Sequence, residues 1–211
     1  MPPRPPLKIG VLISGGGTTL VNLLRCREAG QLDVEFPLVL ADRDCTGIAR
    51  AMQAGLTCEV LPRRSFADTS EFSEAVFDRL RTARVELVAM AGFLARVDIP
   101  PEFTHRVMNI HPSLIPAFCG HGMFGRHVHE AVLSRGCKLS GCTVHFADNE
   151  FDHGPIILQR AVPVLDDDDA DVLAARVFEA ECGAYPEAIR QFAAGRISID
   201  GRRTMIVPEP S

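Results

Sequence analysis

The stretch Leu7–Thr19, LKIGVLISGGGTT, decides the fold class of this chain. Its first part, Leu7–Ile13, is short and almost continuously apolar, which is typical of a buried strand in a parallel sheet. Ser14 and a run of glycines end it, and the segment from Thr18 to Ala29 then places leucines on one helical face. A buried strand, a glycine turn and a helix in this order predict the start of an α/β fold.

The same alternation continues along the N-terminal half of the chain. Apolar runs closed by turn residues alternate with segments of helical periodicity, which favours a Rossmann-like, mostly parallel sheet with helices on both faces. The predicted strands are Phe36–Ala41, Cys58–Leu61 and Val85–Ala91, and the predicted helices are Cys45–Ala54 and Ser70–Ala83.

The pattern changes after Gly92, where we predict an antiparallel addition to the sheet in the C-terminal half. We expect one domain over residues 1–211, with flexible termini at residues 1–7 and about 203–211. The predicted strands here are Val107–Ile110, Ser140–Phe146 and Pro155–Val162, the predicted helices are His127–Ser134 and Asp171–Phe192, and a long loop covers Ala117–Gly125.

Composition excludes several classes of protein. The net charge is -5 without a basic stripe, which argues against nucleic-acid binding. No apolar run approaches the roughly 20 residues that span a membrane, and the first residues lack the apolar block of a signal peptide. The 7 cysteines are scattered without a C-x-x-C pair. We therefore expect a cytoplasmic protein with reduced thiols that acts on small molecules as a monomer or homodimer.

The glycine loop Ser14–Thr19 predicts an anion site. Glycines let the backbone approach a ligand closely, and the helix that follows presents unpaired N–H groups and the positive end of its dipole. A tight turn with nothing bound stays open as an alternative. A dinucleotide site is also open, because Gly15-x-Gly17 is followed by Asp42 after the second predicted strand, although Leu20 occupies the third glycine position.

A second polar cluster is predicted around Asn109 and His111. On a strand these two side chains point to one face, between apolar neighbours, and need partners or a ligand. An asparagine amide can donate to an oxyanion, and a histidine can transfer a proton. Asp152 lies in a later turn, and near His111 it would raise the imidazole pKa. A satisfied pair at a strand end, with Asp152 as a turn former, is the alternative.

Longer motifs carry a resemblance to a known family. From about Lys8 to Ile197 the chain resembles the folate-dependent formyltransferases, and its SGGG loop resembles the branch that formylates glycinamide ribonucleotide. The matching stretches are KIGVLISGGGTTL, ADRDCTGIARA, VAMAGFL, MNIHPSLIPAF, GCTVHFADNEFDHGPIILQ, AVPVLDDD and AARVFEAECGAYPEAI.

The resemblance implies a formyltransferase fold, 10-formyltetrahydrofolate as co-substrate and no metal. It implies transfer of the formyl group to the amine of glycinamide ribonucleotide in purine biosynthesis. By the same resemblance, the site residues are Asn109, His111 and Asp152 for catalysis, Gly17, Thr18 and Thr19 for the phosphate, Glu181 for the ribose, and Leu94, Ala95, Arg96, Val97 and Ile110 for the folate, with His145 as a supporting residue.

The chain departs from the family pattern in three places. Thr18-Thr19 follows the glycines where Ser-Asn is common, and the segment from Leu94 to Pro101 is altered. The loop from Pro116 to His127 is several residues longer than usual, with three histidines in or near it, His121, His127 and His129. Their spacing matches no zinc pattern.

Other functions remain as alternatives at this stage. Hydrolysis of formyl-folate is one, but relatives with that activity carry an added N-terminal domain, and this sequence begins on the first strand. Transfer to initiator methionyl-tRNA is another, but those relatives carry a C-terminal nucleic-acid-binding domain. A nucleotide-binding module without catalysis is the third, and it has no need for all three of Asn109, His111 and Asp152.

Overall fold

Residues 5–208 are described by the computed structural model, and they divide between Met108 and Asn109 into two units. The first unit contains a parallel sheet in the order β3-β2-β1-β4. Its strands are β1 (Leu7–Ile13), β2 (Val34–Ala41), β3 (Cys58–Val60) and β4 (Leu87–Met90), and its helices are α1 (Thr18–Glu28), α2 (Thr46–Gln53) and α3 (Thr69–Thr82).

The residues of the first unit explain why its strands and helices form where they do. In β1, Ile9, Val11 and Leu12 are fully buried, as expected for a strand with neighbours on both sides. Helix α3 is capped by Asp68, whose carboxylate accepts a hydrogen bond from the N–H of Glu71 at 2.9 Å. In return, the Glu71 carboxylate accepts from the N–H of Ala67 at 2.8 Å, which fixes the start of the helix.

The second unit has mixed strand directions in the order β5-β6-β7-β9-β8. Strands β6 and β7 are antiparallel, β9 is parallel to β7, and β8 is antiparallel to β9. The elements are β5 (Val107–His111), β6 (Leu139–Phe146), β7 (Ile156–Pro163), β8 (Ile197–Asp200), β9 (Arg203–Ile206), α4 (Arg126–Ser134) and α5 (Ala170–Ala193). The predicted α/β class, with parallel strands first and antiparallel strands in the C-terminal half, is confirmed.

Strands lie close to both ends of the described chain. Leu7 belongs to β1, and Arg203–Ile206 forms β9. Ile197 pairs with Ile206 across the turn at Gly201. The flexibility of the termini stays a prediction. Residues 1–4 and 209–211 lie outside the described part of the chain. A single domain over residues 1–211 stays a prediction.

Within residues 5–208, no helix is both long enough and apolar enough to cross a bilayer.

Candidate active site

Asn109 and His111 converge on the carboxylate of Asp152. Both side chains lie on the same side of β5, as their alternation predicts, and both reach Asp152. The Asn109 amide nitrogen donates to Asp152 Oδ1 at 3.4 Å, and His111 Nδ1 lies 3.5 Å from Asp152 Oδ2. The three residues that the sequence singled out for catalysis therefore form one cluster.

His145 on β6 supports this cluster. Its Nδ1 lies 2.9 Å from the carbonyl oxygen of Phe146, which can only accept, so Nδ1 carries the proton. In the neutral ring Nε2 is then an acceptor, and it lies 3.2 Å from the amide nitrogen of Asn109. The same Nε2 lies 3.7 Å from Asp152 Oδ1. His145 thus orients the Asn109 amide with its nitrogen toward the cluster.

The loop that follows β5 holds the cluster through two backbone groups. The carbonyl of Phe118 accepts from His111 Nε2 at 2.9 Å, and the N–H of Gly120 donates to Asp152 Oδ2 at 2.8 Å. Phe118 and Asp152 have φ values of 51° and 53°, in the left-handed region that costs a non-glycine residue on the order of 1–3 kcal/mol. Such strain at two adjoining positions of the cluster is typical of a functional site.

The protonation of His111 differs from the sequence expectation. Burial disfavours the imidazolium and lowers the pKa of His111 below its ordinary value. The negative charge of Asp152 and the Phe118 carbonyl act in the opposite direction, but they do not overcome burial. The effect of Asp152 on the His111 pKa has the expected sign, but the pKa is lowered overall, because the burial of the ring dominates.

Asp152 itself is held in its charged form. Burial alone would raise the pKa of Asp152, but the interactions with His145 and His111 and the N–H of Gly120 lower it below the ordinary aspartate value. The carboxylate side chain is 11% exposed. Asp152 is therefore a largely buried anion at neutral pH that accepts hydrogen bonds from the Asn109 amide and the N–H of Gly120.

Two further observations concern the histidines in or near the loop from Pro116 to His127. His129 on α4 is buried, and within residues 5–208 its Nδ1 has no hydrogen-bond partner. Burial, together with the charge of His111, lowers the pKa of His129, so the ring favours its neutral form. In the described part of the chain, no group of three or more histidine, cysteine, aspartate or glutamate side chains is arranged to hold a metal ion.

Glu181 on α5 carries a desolvated carboxyl group. Burial raises the pKa of Glu181 to about 7. Among residues 5–208 we find no hydrogen bond or ion pair to this carboxyl. Burial and, secondly, the negative charge of this carboxyl raise the pKa of the Cys142 thiol. An acceptor without a donor in the protein suits a ligand that brings donors of its own.

Replacing Glu181 with glutamine should stabilise the protein at high pH. Because the folded-state pKa of about 7 lies above the ordinary 4.5, the contribution of Glu181 to stability is present below pH 4.5 and is lost as pH rises through 7. Glu181→Gln is neutral throughout, so above pH 7 we expect it to exceed the wild type by about 1–3 kcal/mol. Urea unfolding at roughly pH 5 and pH 8 measures this difference.

The matched control is Glu179→Gln, which changes an exposed glutamate of the same helix. We expect that variant to follow the wild type at both pH values. Equal stabilities of Glu181→Gln and the wild type at the higher pH would contradict a desolvated carboxylate at position 181.

The glycine loop of the first unit leads into a helix start without a side-chain cap. Gly17, with φ 68°, is the N-cap of α1, and no side chain caps the helix. The first intrahelical bond runs from the N–H of Val21 to the carbonyl of Gly17 at 2.9 Å. Thr18 is exposed and Thr19 is buried. The start of α1 therefore leaves early N–H groups uncapped by side chains, with a hydroxyl at the surface.

The dinucleotide alternative is weakened by Asp42. Its side chain is fully buried, and it accepts two hydrogen bonds from Arg43, at 3.0 Å and 2.8 Å. A ribose-binding carboxylate needs free acceptor positions in an open site. The position of Asp42 is thus better explained by its pairing with Arg43.

The residues predicted to bind folate differ in exposure. Leu94 is 44% exposed, whereas Val97 and Ile110 are buried. The Leu94 segment is tied to the end of β1, because the N–H of Leu94 donates to Ser14 Oγ at 2.8 Å and the N–H of Ser14 donates to the Gly92 carbonyl at 3.1 Å. Ala95 is half-buried and Arg96 lies 3.6 Å from Asp98. The contacts of these residues do not identify a ligand, so the assignment of a folate site to them stays a prediction.

Sequence reasoning missed the backbone contacts of Phe118 and Gly120. Any residue supplies a carbonyl and any residue except proline an N–H, so side-chain identity gives no signal for them. The available signal was indirect, namely the unusual length and glycine content of the loop that contains them.

Comparison with known proteins shows that the chain is similar to formyl transferases. The formyl transferase family matches residues 7–189. The phosphoribosylglycinamide formyltransferase of Haemophilus influenzae is 34% identical over 197 residues, covering 91% of this chain and 90% of the relative. The crystal structure of glycinamide ribonucleotide transformylase 1 from Symbiobacterium toebii has a TM-score of 0.90 at 40% identity, covering 98% of this chain and 96% of that one.

Longer relatives also match. The trifunctional purine biosynthetic protein adenosine-3 of Drosophila melanogaster is 38% identical over 193 residues, and that of Gallus gallus is 36% identical over 196 residues. The chain spans 14% and 19% of the lengths of these two proteins. The match to most of the chain, together with the relative from Haemophilus, establishes that the chain belongs to the formyl transferase family.

Proposed function

We propose that this protein transfers the formyl group of 10-formyltetrahydrofolate to the amine of glycinamide ribonucleotide. The observation that carries the proposal is the convergence of Asn109 and His111 on the buried carboxylate of Asp152. Relatives named for this activity, such as the one from Haemophilus influenzae, support it. The products would be formylglycinamide ribonucleotide and tetrahydrofolate.

In the proposed mechanism the substrate amine attacks the formyl carbon, and a tetrahedral oxyanion forms. To donate to that oxygen, the Asn109 amide would exchange its long 3.4 Å bond to Asp152, and His111 Nε2 would exchange its bond to the Phe118 carbonyl. The bond between the formyl carbon and the folate nitrogen then breaks. One proton leaves the attacking amine and one reaches the departing folate nitrogen, so the two transfers balance, with His111 or a water held by Asp152 as the carrier.

The buried state of His111 fits this role. Burial favours the neutral imidazole in the free protein, but a developing oxyanion adds a second negative charge beside Asp152 and raises the proton affinity of the ring. His111 would thus take up a proton when the intermediate forms and release it when the intermediate collapses. The imidazolium would therefore be populated mainly while the tetrahedral intermediate exists.

One assay separates the proposed activity from its alternatives. Purified protein is incubated with 10-formyltetrahydrofolate, with and without glycinamide ribonucleotide, and loss of the formyl group is followed. We expect turnover only with the ribonucleotide. Turnover without it would show hydrolysis, and no turnover in either case would favour a binding module.

Glu181 is proposed to bind the ribose hydroxyls of the ribonucleotide. Its carboxyl has no donor among the described residues, and a charged carboxylate can accept from both hydroxyls. Hydrogen bonds to charged groups contribute roughly 1.5–3 kcal/mol, so Glu181→Ala should weaken ribonucleotide binding by about tenfold or more. Folate binding should change little. Titration calorimetry with each substrate measures both affinities.

A substrate without the two hydroxyls tests the same contact from the other side. We expect the dideoxy ribonucleotide to bind the wild type poorly and Glu181→Ala no worse. If the variant still discriminates against the dideoxy substrate as strongly as the wild type does, Glu181 does not contact the sugar.

The remaining assignments follow from the proposed activity. Gly17, Thr18 and Thr19 would hold the phosphate, and Leu94, Ala95, Arg96, Val97 and Ile110 would contact the folate. We also propose a cytoplasmic protein that acts as a monomer or homodimer on small molecules alone. No metal enters the proposed reaction.

A further inference from the structure

Helix α2 is bonded to two consecutive carbonyls of the glycine loop. The N–H of Gly47 donates to the carbonyl of Gly15 at 3.0 Å. The Arg50 side chain donates from Nη1 to the carbonyl of Gly16 at 2.6 Å. Both donors belong to α2, so one helix fixes the orientation of two peptide groups in the loop.

The orientation of these peptides decides where their N–H groups point. In a trans peptide the C=O and the N–H point in opposite directions. The carbonyl of Gly15 shares a peptide group with the N–H of Gly16, and the carbonyl of Gly16 shares one with the N–H of Gly17. Since both carbonyls face α2, the N–H groups of Gly16 and Gly17 face away from it, where they are available to an anion.

The contact between α2 and the loop leaves no room for a side chain at Gly47 or at Gly17. A Cβ on Gly47 would lie 2.7 Å from the Gly15 carbonyl oxygen and 2.8 Å from Ile13 Cδ1. A Cβ on Gly17 would lie 2.9 Å from the Cα of Gly47. Any larger residue at position 47 therefore pushes the loop away from α2 and rotates the peptides whose N–H groups α2 orients.

We propose that Gly47 and Arg50 are positioning residues for the substrate phosphate. This inference rests on the proposed function, which places that phosphate at the glycine loop. Gly47 sets the distance between α2 and the loop, and Arg50 fixes the Gly16 peptide. The Arg50 side chain is exposed, and its positive charge also favours a dianionic ligand at the loop.

The test compares two substrates that differ only in the phosphate. Gly47→Ala and Arg50→Met are assayed with glycinamide ribonucleotide and with the corresponding unphosphorylated riboside. With the ribonucleotide, we expect KM to rise by about tenfold to a hundredfold with kcat little changed. With the riboside, we expect kcat/KM to equal that of the wild type, because no phosphate is there to be positioned. A general structural defect would lower activity toward both substrates alike.

Two controls accompany the test. Arg50→Lys keeps a charged donor and should recover part of the loss, whereas Arg25→Met removes an exposed arginine at the far end of α1 and should behave as wild type. Because Arg50 is exposed, Arg50→Met keeps the test valid even if Gly47→Ala does not fold.

The outcomes distinguish the inference from the activity on which it rests. Absence of turnover by the wild type would overturn the proposed function and this inference together. Wild-type turnover with an unchanged ribonucleotide KM in folded Arg50→Met, or with equal losses on both substrates, would overturn the positioning role and leave the proposed function intact.

Discussion

Asp152→Asn should lower kcat by about two to four orders of magnitude while the protein still folds. The carboxylate accepts from the N–H of Gly120 and from the Asn109 amide, and it faces His111 Nδ1 at 3.5 Å. An amide at this position has one acceptor oxygen instead of two and places N–H donors against other donors. It also carries no charge, so in the proposed mechanism the imidazolium that forms beside the oxyanion would lose its counterion.

Steady-state and single-turnover rates measure the loss, and His111→Ala should show a comparable one. The matched control is Asp166→Asn, an exposed carboxylate of the same unit that pairs with Lys138 and should keep full turnover. Near-normal turnover of folded Asp152→Asn would remove Asp152 from the mechanism.

Gly17→Val should raise the KM for glycinamide ribonucleotide by about a hundredfold or more, with a much smaller effect on the folate KM. At φ 68° a β-branched residue is strained, and its Cβ would lie 2.9 Å from the backbone of Gly47. Backbone atoms cannot move aside as a flexible side chain can, so the loop must shift. A shift of about 1 Å is enough to misdirect the N–H groups that we propose hold the phosphate.

A matched control separates crowding from backbone strain. Gly30 has nearly the same φ, 70°, but a Cβ there meets no atom within 4 Å. Gly30→Val should therefore lose stability without a change in either KM. Equal increases of both KM values in Gly17→Val would contradict a specific phosphate role for the loop.

Elements with a clear apolar pattern could be predicted from the sequence. Strand β1 has the predicted bounds Leu7–Ile13, and α3 buries Phe72, Val76 and Leu80 as its periodicity indicates. In both cases the local pattern and the burial in the fold agree. Strands β8 and β9 could not be predicted in this way, because their residues are only half-buried or exposed and depend on pairing with β7 and with each other.

Some features of the candidate site could likewise be predicted from the sequence, and others could not. Asn109 and His111 could be placed on one face by strand alternation alone, whereas Asp152 was only a candidate partner from a later turn until the family resemblance grouped it with them. The contribution of the loop could not be predicted, because it consists of a carbonyl and an N–H. Nor could the lowered pKa of His111, which depends on how deeply the ring is buried.

The loop also places a cysteine beside the candidate site. Cys119 lies between Phe118 and Gly120, whose backbone groups contact His111 and Asp152. Its thiol is partly exposed, and burial together with the negative charge of Asp152 raises the pKa of Cys119, so little thiolate is present at neutral pH. We therefore expect Cys119 to react slowly with thiol-directed reagents, despite its partial exposure and its position between the two backbone contacts.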